Sequence, residues 1–215
     1  MSEKLTDKLV YRIIHYNNLN YVLEHGMYVR QHEKFDPNYV NIGNSEIIDV
    51  RKDCPVKITG YGFVGDYIPF YFGTQSIMLY NILTGRGGLQ RHSADNIIYL
   101  CCKIEDLIES CPRWFFTDGQ ANKQITAHFS NINDLNKMDW NVVNGTDFRK
   151  SEDDPDKARR YQAEFLVHQH VPVNCVSKIV IHNKSIANTI QASLIKYGLK
   201  VPIEIAKKDC YYFYF

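Results

Sequence analysis

An α+β fold built on a mixed or antiparallel sheet is predicted by three observations. Strand-like stretches outnumber helical ones, the helical stretches are short, and the two do not alternate strictly as βαβ units. The 215 residues, 45% of them hydrophobic, suffice for a single domain over 1–215 with a proper core. Lys+Arg 25 against Asp+Glu 24 leaves a formal charge of +1, so bulk electrostatics points neither to nucleic acid nor to a membrane surface. Any basic surface must be local. The six cysteines form no CxxC pair and follow no signal peptide, and no apolar run approaches the roughly 20 residues that span a bilayer. A soluble cytoplasmic protein with reduced thiols and no membrane partner is expected. The 15 Tyr and 11 Phe are many, and they serve a core or a stacking surface equally well.

Leu9 to Tyr16 alternates, with Tyr11, Ile13 and His15 on one face and Val10, Arg12 and Ile14 on the other, and reads as a first strand. Asn17 or Asn18 then caps a helix carrying Leu19, Val22 and Leu23, which Gly26 stops. Residues 30–66 are polar and aperiodic, with turn signals at 41–45 and 60–62, and are expected to form a long binding loop. Asp66 to Gly73 is an aromatic strand in which Pro69 demands an edge or a bulge. Ser76 to Leu83 reads as a helix closed by the Gly85-Arg86-Gly87-Gly88 turn, Asn96 to Lys103 as a buried strand, Glu105 to Ser110 as a helical turn, and Arg113 to Thr117 as a strand. A second irregular region covers about 118–150. A short helix starts at Asp154-Pro155 and hands over to an apolar run at Glu164. Strands at Lys178 to His182, Val201 to Ala206 and Tyr211 to Phe215, with a helix from Ser185 to Gly198, complete the chain.

Several chemistries lack their motif: there is no GxGxxG opening a helix, no GxxxxGK[ST] and no GxSxG. His168-x-His170 would put two imidazoles on one strand face but lacks a third ligand at a recognisable spacing. The acidic run Glu152-Asp153-Asp154-Pro155-Asp156 suits a helix N-terminus better than a Mg²⁺ site, so no metal is expected. Glu164 stands out as a carboxylate at the mouth of an apolar strand. A buried ion pair explains it as well as catalysis does. His15 ends a strand before a helix, where packing or capping is the commoner use, and Arg51 reads on physics alone as a solvated arginine. Lys123, Lys137, Arg149 and Lys150 in the second irregular region, with Arg86 in the glycine turn, are candidates for a nucleic-acid backbone or ordinary solubilising charges.

A succession of short motifs changes the weighting. Tyr11-Arg12-Ile13-Ile14-His15, Asn41-Ile42-Gly43, Asp66 through Phe72, Met78-Leu79-Tyr80-Asn81-Ile82, Gly85-Arg86-Gly87-Gly88, Phe116-Thr117-Asp118, Asp147-Phe148-Arg149 and Asp153 through Glu164 follow one another in an order that resembles the DarT family of DNA ADP-ribosyltransferase toxins. The resemblance covers almost the whole chain. It implies an ADP-ribosyltransferase-like fold, two small mixed or antiparallel sheets forming a cleft for NAD, the substrate that donates ADP-ribose to a base of single-stranded DNA. Thymine is the first acceptor to consider and guanine the alternative, and a macrodomain antitoxin of the DarG type is the implied partner in a bacterial cytoplasm. It implies Glu164 and Arg51 as catalytic, and His15, Asn17, Gly43, Tyr71 and Met78, with Arg51, as NAD-contacting. Arg51 would serve either the developing charge on the base or the NAD phosphates. Two positions depart from the family pattern: Ile77 stands where proline is more frequent, and Gln120 where a histidine is common, which leaves the target base and motif open. A catalytically silent single-strand-binding module and a metal-dependent nuclease using Asp153 to Asp156 are the competing readings.

Overall fold

In the computed structural model, which describes residues 5–214, the chain opens with the strand its alternation predicts. β1 (Leu9–His15) sends Val10 and Ile14 into a core on one face of the sheet and Ile13 into a second core on the other. α1 (Leu19–His25) buries Leu19, Val22 and Leu23 and stops at Gly26. β2 (Met27–Tyr28) leads into the region expected to be irregular, and there one expectation fails. The Asn44 carboxamide accepts from the backbone N–H of Glu46 and Ile47 and starts α2 (Ser45–Lys52), a helix that buries none of its residues. Its apolar residues Ile47 and Val50 stay exposed, so it packs no apolar stripe into the core.

β3 (Tyr67–Tyr71) is followed by α3 (Ile77–Thr84), where the Ser76 hydroxyl accepts from Leu79 N–H and Gly85 closes the helix in the left-handed region. β4 (Ile97–Lys103), α4 (Ile104–Ser110) and β5 (Trp114–Thr117) fall where expected. The 118–150 region contains only β6 (His128–Phe129), a tight turn over Ile132–Lys137 and α5 (Trp140–Val143). α6 (Lys157–Arg160) starts later than Asp154-Pro155, because the Asp154 carboxylate is drawn to Arg160 at 2.5 Å instead of capping. β7 (Glu164–His168), β8 (His170–Val171), β9 (Val176–Ile181), α7 (Ala187–Lys196) and β10 (Ile203–Ile205) follow. The two histidines of His168-x-His170 do not share a face: Gln169 adopts a φ of 56° and turns the chain from one sheet into another. Nor do residues 211–214 form a strand. Tyr211 and Tyr212 are buried as a plug, with the Tyr212 hydroxyl donating to Ile97 O and the Tyr99 hydroxyl to Tyr211 O. Phe215 lies outside the described residues.

Eight strands form one sheet in the order β10-β9-β4-β1-β3-β7-β5-β6, and β2 pairs with β8 separately. Neighbours are antiparallel except β9 and β10, so the expected α+β class with a mixed sheet holds. The two expected sheets are instead the halves of one sheet with a weak seam. β1 pairs with β4 along its whole length and β3 with β7 along its own, but β1 meets β3 only at Tyr11↔Tyr71. Pro69 explains part of this. Its carbonyl points across the seam, where it accepts from Arg12 Nη1 at 3.0 Å, so its missing N–H faces the same gap and costs no ladder bond. Sequence reading expected an edge at Pro69, and the strand has a local one in the middle of the sheet. Among the described residues no helix is long and apolar enough to cross a membrane.

Candidate active site

The seam opens into a cleft with Glu164 at its floor. Glu164 begins β7, in register with Tyr71 of β3, and is 2% exposed. Such burial requires partners for both oxygens. Oε1 accepts from Arg51 Nη1 at 3.1 Å and from the Ala121 N–H at 3.0 Å, and Oε2 accepts from Arg51 Nη2 at 2.9 Å. The pairing is bidentate, a geometry that guanidinium and carboxylate share. From below, the Glu164 N–H donates to the Thr117 hydroxyl at 3.2 Å.

Arg51 reaches this position from the last turn of α2. The helix end is seated against the backbone at Gly65, where a Cβ would stand 2.8 Å from Lys52 Cα; only glycine permits that approach. Burial pulls the guanidinium down, and the adjoining Glu164 carboxylate outweighs it, so Arg51 is held above its ordinary value. Tyr71 lies beside the pair, its hydroxyl donating to Met78 Sδ at 3.4 Å. Burial, and then the charge of Glu164, push that phenol well up, so it stays neutral.

The structure therefore gathers Glu164, Arg51, Tyr71, Met78 and Gly43 around one cleft. His15 and Asn17 do not line it. His15 is buried at the end of β1, where its Nδ1 accepts from Asn17 N–H at 3.2 Å and its ring lies against Tyr16. Burial, and then His92, lower its pKa and keep the imidazole neutral.

A second, shallower depression adjoins the cleft, and Gln120 and Gln162 line both. Lys123 and Lys150 face it, together with Ile125, which is 72% exposed. Arg149 and Arg86 lie elsewhere: the first is paired with Asp147 at 2.8 Å, the second is stacked over the Tyr80 ring at 5.2 Å. Asp154 and Asp156 of the acidic run are engaged by the two arginines of α6. Arg160 binds Asp139, Asp154 and Asp156, and Arg159 binds Asp156 at 2.7 Å and Asp118 at 2.9 Å. These are fastenings for the loop after β5, which Lys57 Nζ also grips by donating to the Gln124 and Thr126 carbonyls.

Sequence reasoning missed Arg12 and Gln162 as cleft residues and Ala121 as a donor to the carboxylate, while Gln120, singled out there as a departure from the family pattern, does line the cleft. Gln162 had a legible signal, since it stands two residues before Glu164 on an approach to a strand. A backbone donor leaves none.

Solved structures share this fold. The Thermus sp. 2.9 DarT in complex with ADP-ribosylated ssDNA matches with a TM-score of 0.85 at 21% identity, covering 96% of this chain and 97% of that one. The same protein in complex with NAD+ matches at 0.81, with 21% identity over 96% and 98% of the two chains. The family model described as "ssDNA thymidine ADP-ribosyltransferase, DarT" matches residues 11–213. A DNA ADP-ribosyl transferase of Escherichia coli O127:H6 is 33% identical over 195 residues, 91% of this chain and 89% of its relative. Another from Thermus aquaticus is 27% identical over 205 residues, 95% and 89% of the two. The chain belongs to the DarT family of DNA ADP-ribosyltransferases.

Proposed function

We propose that this enzyme transfers ADP-ribose from NAD to a base of single-stranded DNA, thymine before guanine, releasing nicotinamide. The observation that carries the reading is the position of Glu164. Its carboxylate lies at the floor of a cleft lined by Tyr71, Met78 and Gly43, beside a second depression, and Gln120 and Gln162 line both.

Breaking the bond between ribose C1′ and the nicotinamide nitrogen builds oxocarbenium-like charge on the ribose, and a nearby carboxylate stabilises it. The electron pair leaves with nicotinamide, which departs neutral. The acceptor nitrogen then forms the new bond to C1′ and gives up its proton, for which Glu164 is the acceptor. Thymine N3–H is a poor nucleophile until that proton goes. Because the atom is paired in a duplex, single-stranded DNA is the fitting substrate. Arg51 pairs with Glu164 and, in the reaction, serves the NAD phosphates or the charge appearing on the base. Lys123 and Lys150 meet the DNA backbone, and selectivity for a short motif comes from polar side chains such as Gln120 and Gln162. Modified template bases would block replication and make the enzyme a toxin in the cytoplasm, with a macrodomain antitoxin of the DarG type to reverse it. A DarTG of Thermosipho africanus in complex with ADP-ribose, matching with a TM-score of 0.73 at 20% identity over 92% of this chain and 50% of that one, supports such a partner.

One experiment tests the reading. The protein is incubated with NAD and single-stranded oligonucleotides that each lack one base type, with and without Mg²⁺, and the products are weighed. A gain of one ADP-ribose on thymine-containing strands, absent with Glu164→Ala, is expected. Modification confined to guanine-containing strands would move the acceptor. Tight binding with no mass gain would mean a silent binding module, and cleavage requiring Mg²⁺ a nuclease.

A further inference from the structure

We infer that His128 is a positioning residue for Glu164, acting in its neutral form through the Ala121 backbone, whose carbonyl it holds and whose N–H donates to the carboxylate. The inference rests on the proposed role of Glu164. His128 Nε2 lies 3.1 Å from the Ala121 carbonyl, and Nδ1 accepts from the Lys57 N–H at 3.2 Å. A backbone N–H can only donate and a carbonyl can only accept, so the two contacts fix the tautomer: Nδ1 is bare and Nε2 carries the proton. The ring is stacked on Phe115 with centroids 5.1 Å apart and planes 24° from parallel, which leaves it one orientation. Ala121 is buried at 1% exposure, and its N–H is the donor to Glu164 Oε1 at 3.0 Å. One residue thus has its carbonyl held by His128 and its amide aimed at the carboxylate.

Of the three donors to Glu164, this N–H is the one held by the backbone itself. Arg51 sits on α2, whereas Ala121 and His128 belong to the loop and strand that Lys57 and Arg159 fasten. The Ala121 amide thus sets the direction of Oε1 from a different element than the one that carries Arg51, independently of any change in the Arg51 side chain. A misdirection of about 1 Å at a reacting group costs on the order of a hundredfold in rate, so the amide's aim matters to turnover.

Protonation breaks the arrangement in a defined way. A second N–H at Nδ1 faces the Lys57 N–H, donor against donor, and the ring must move. Burial lowers the His128 pKa first. The Ala121 hydrogen bond raises it, Lys57 lowers it, and Glu164 and Asp118 raise it; these are the charged groups that face the ring. The net shift is downward from 6.5, so the neutral form holds at neutral pH and is lost only as the pH falls through a value below 6.5.

The test has two readouts. In the first, the Ala121 amide resonance of the full chain is followed by ¹⁵N-labelled NMR as pH is lowered, in the wild type and in His128→Gln. Glutamine keeps a donor for the Ala121 carbonyl and does not titrate. The wild-type amide should move with a midpoint below 6.5, and the His128→Gln amide should lack that step. In the second, kcat is measured against pH with NAD and oligonucleotide. His128→Phe, which keeps the ring and removes both nitrogens, should lose about tenfold in kcat with little change in either KM. His128→Gln should recover most of that loss and carry its acid limb to lower pH. An Ala121 amide that ignores the titration, or identical acid limbs in wild type and His128→Gln, overturns the inference. If His128→Phe does not fold, the glutamine comparison decides alone. If no oligonucleotide is modified at any pH the proposed function fails, while the amide titration still decides whether His128 governs the donor.

Discussion

Both oxygens of Glu164 are engaged within the protein, and three donors share them. The cost of removing one partner is then set by what remains. Arg51→Ala leaves a carboxylate that is 2% exposed with one backbone N–H, and should destabilise the fold by about 3–5 kcal/mol. Glu164→Gln keeps an acceptor for Ala121 and should cost less. The double variant Arg51→Ala, Glu164→Gln should lose less than the sum of the two single changes, because it strands no charge; urea unfolding measures all of these. A strictly additive result would mean that the two side chains do not support each other in solution. The residues themselves were unequally legible. Glu164 betrays itself as a carboxylate opening an apolar strand. Arg51 does not, since a solvated arginine is the better reading of its surroundings in the chain, and no spacing rule connects residues 113 positions apart. Only the resemblance in motif order paired them.

Among the elements, those that bury an apolar face were readable and those that do not were not. β1, β4 and β7 show alternating or continuous apolar patterns, and α3 has both its Ser76 cap and its Gly85 stop. α2 was hidden because its worth lies in where it puts Arg51 and not in what it buries. The plug at 211–214 was misread for the opposite reason. Its aromatics look like strand residues, yet their hydroxyls and carbonyls are spent on side-chain contacts with Ile97 and Tyr99. α2 depends on its cap more than a packed helix would. Asn44→Ala should cost about 1 kcal/mol in stability. It should also lower kcat several-fold by loosening the turn that carries Arg51, while Asn44→Asp, which still caps, should restore both. Thermal unfolding and nicotinamide release check the two effects, and wild-type turnover in Asn44→Ala would mean that packing against Gly65 alone holds the helix.

For the molecule as a whole, the site is where the sheet is least continuous. A sheet that paired fully across its centre would have no cleft, and one that parted there would have no common floor for Glu164 and Arg51. One registered pair, Tyr11↔Tyr71, and one side-chain bridge, from Arg12 to Pro69, hold the compromise. Proline makes this durable. Strands that lie alongside one another tend to zip, and a residue without an N–H is a way to keep a zipper from closing. The gap is thus guarded by a single ring, and Pro69→Val would remove the guard. The new N–H would face β1, amide exchange at the centre of the sheet should slow, and nicotinamide release should fall together with it. Unchanged exchange would mean that the Arg12 guanidinium alone spaces the strands. The consequence is one of trade: the protein gives up backbone cohesion across the seam, and the cleft over Glu164 and Arg51 opens in the pairing that is lost.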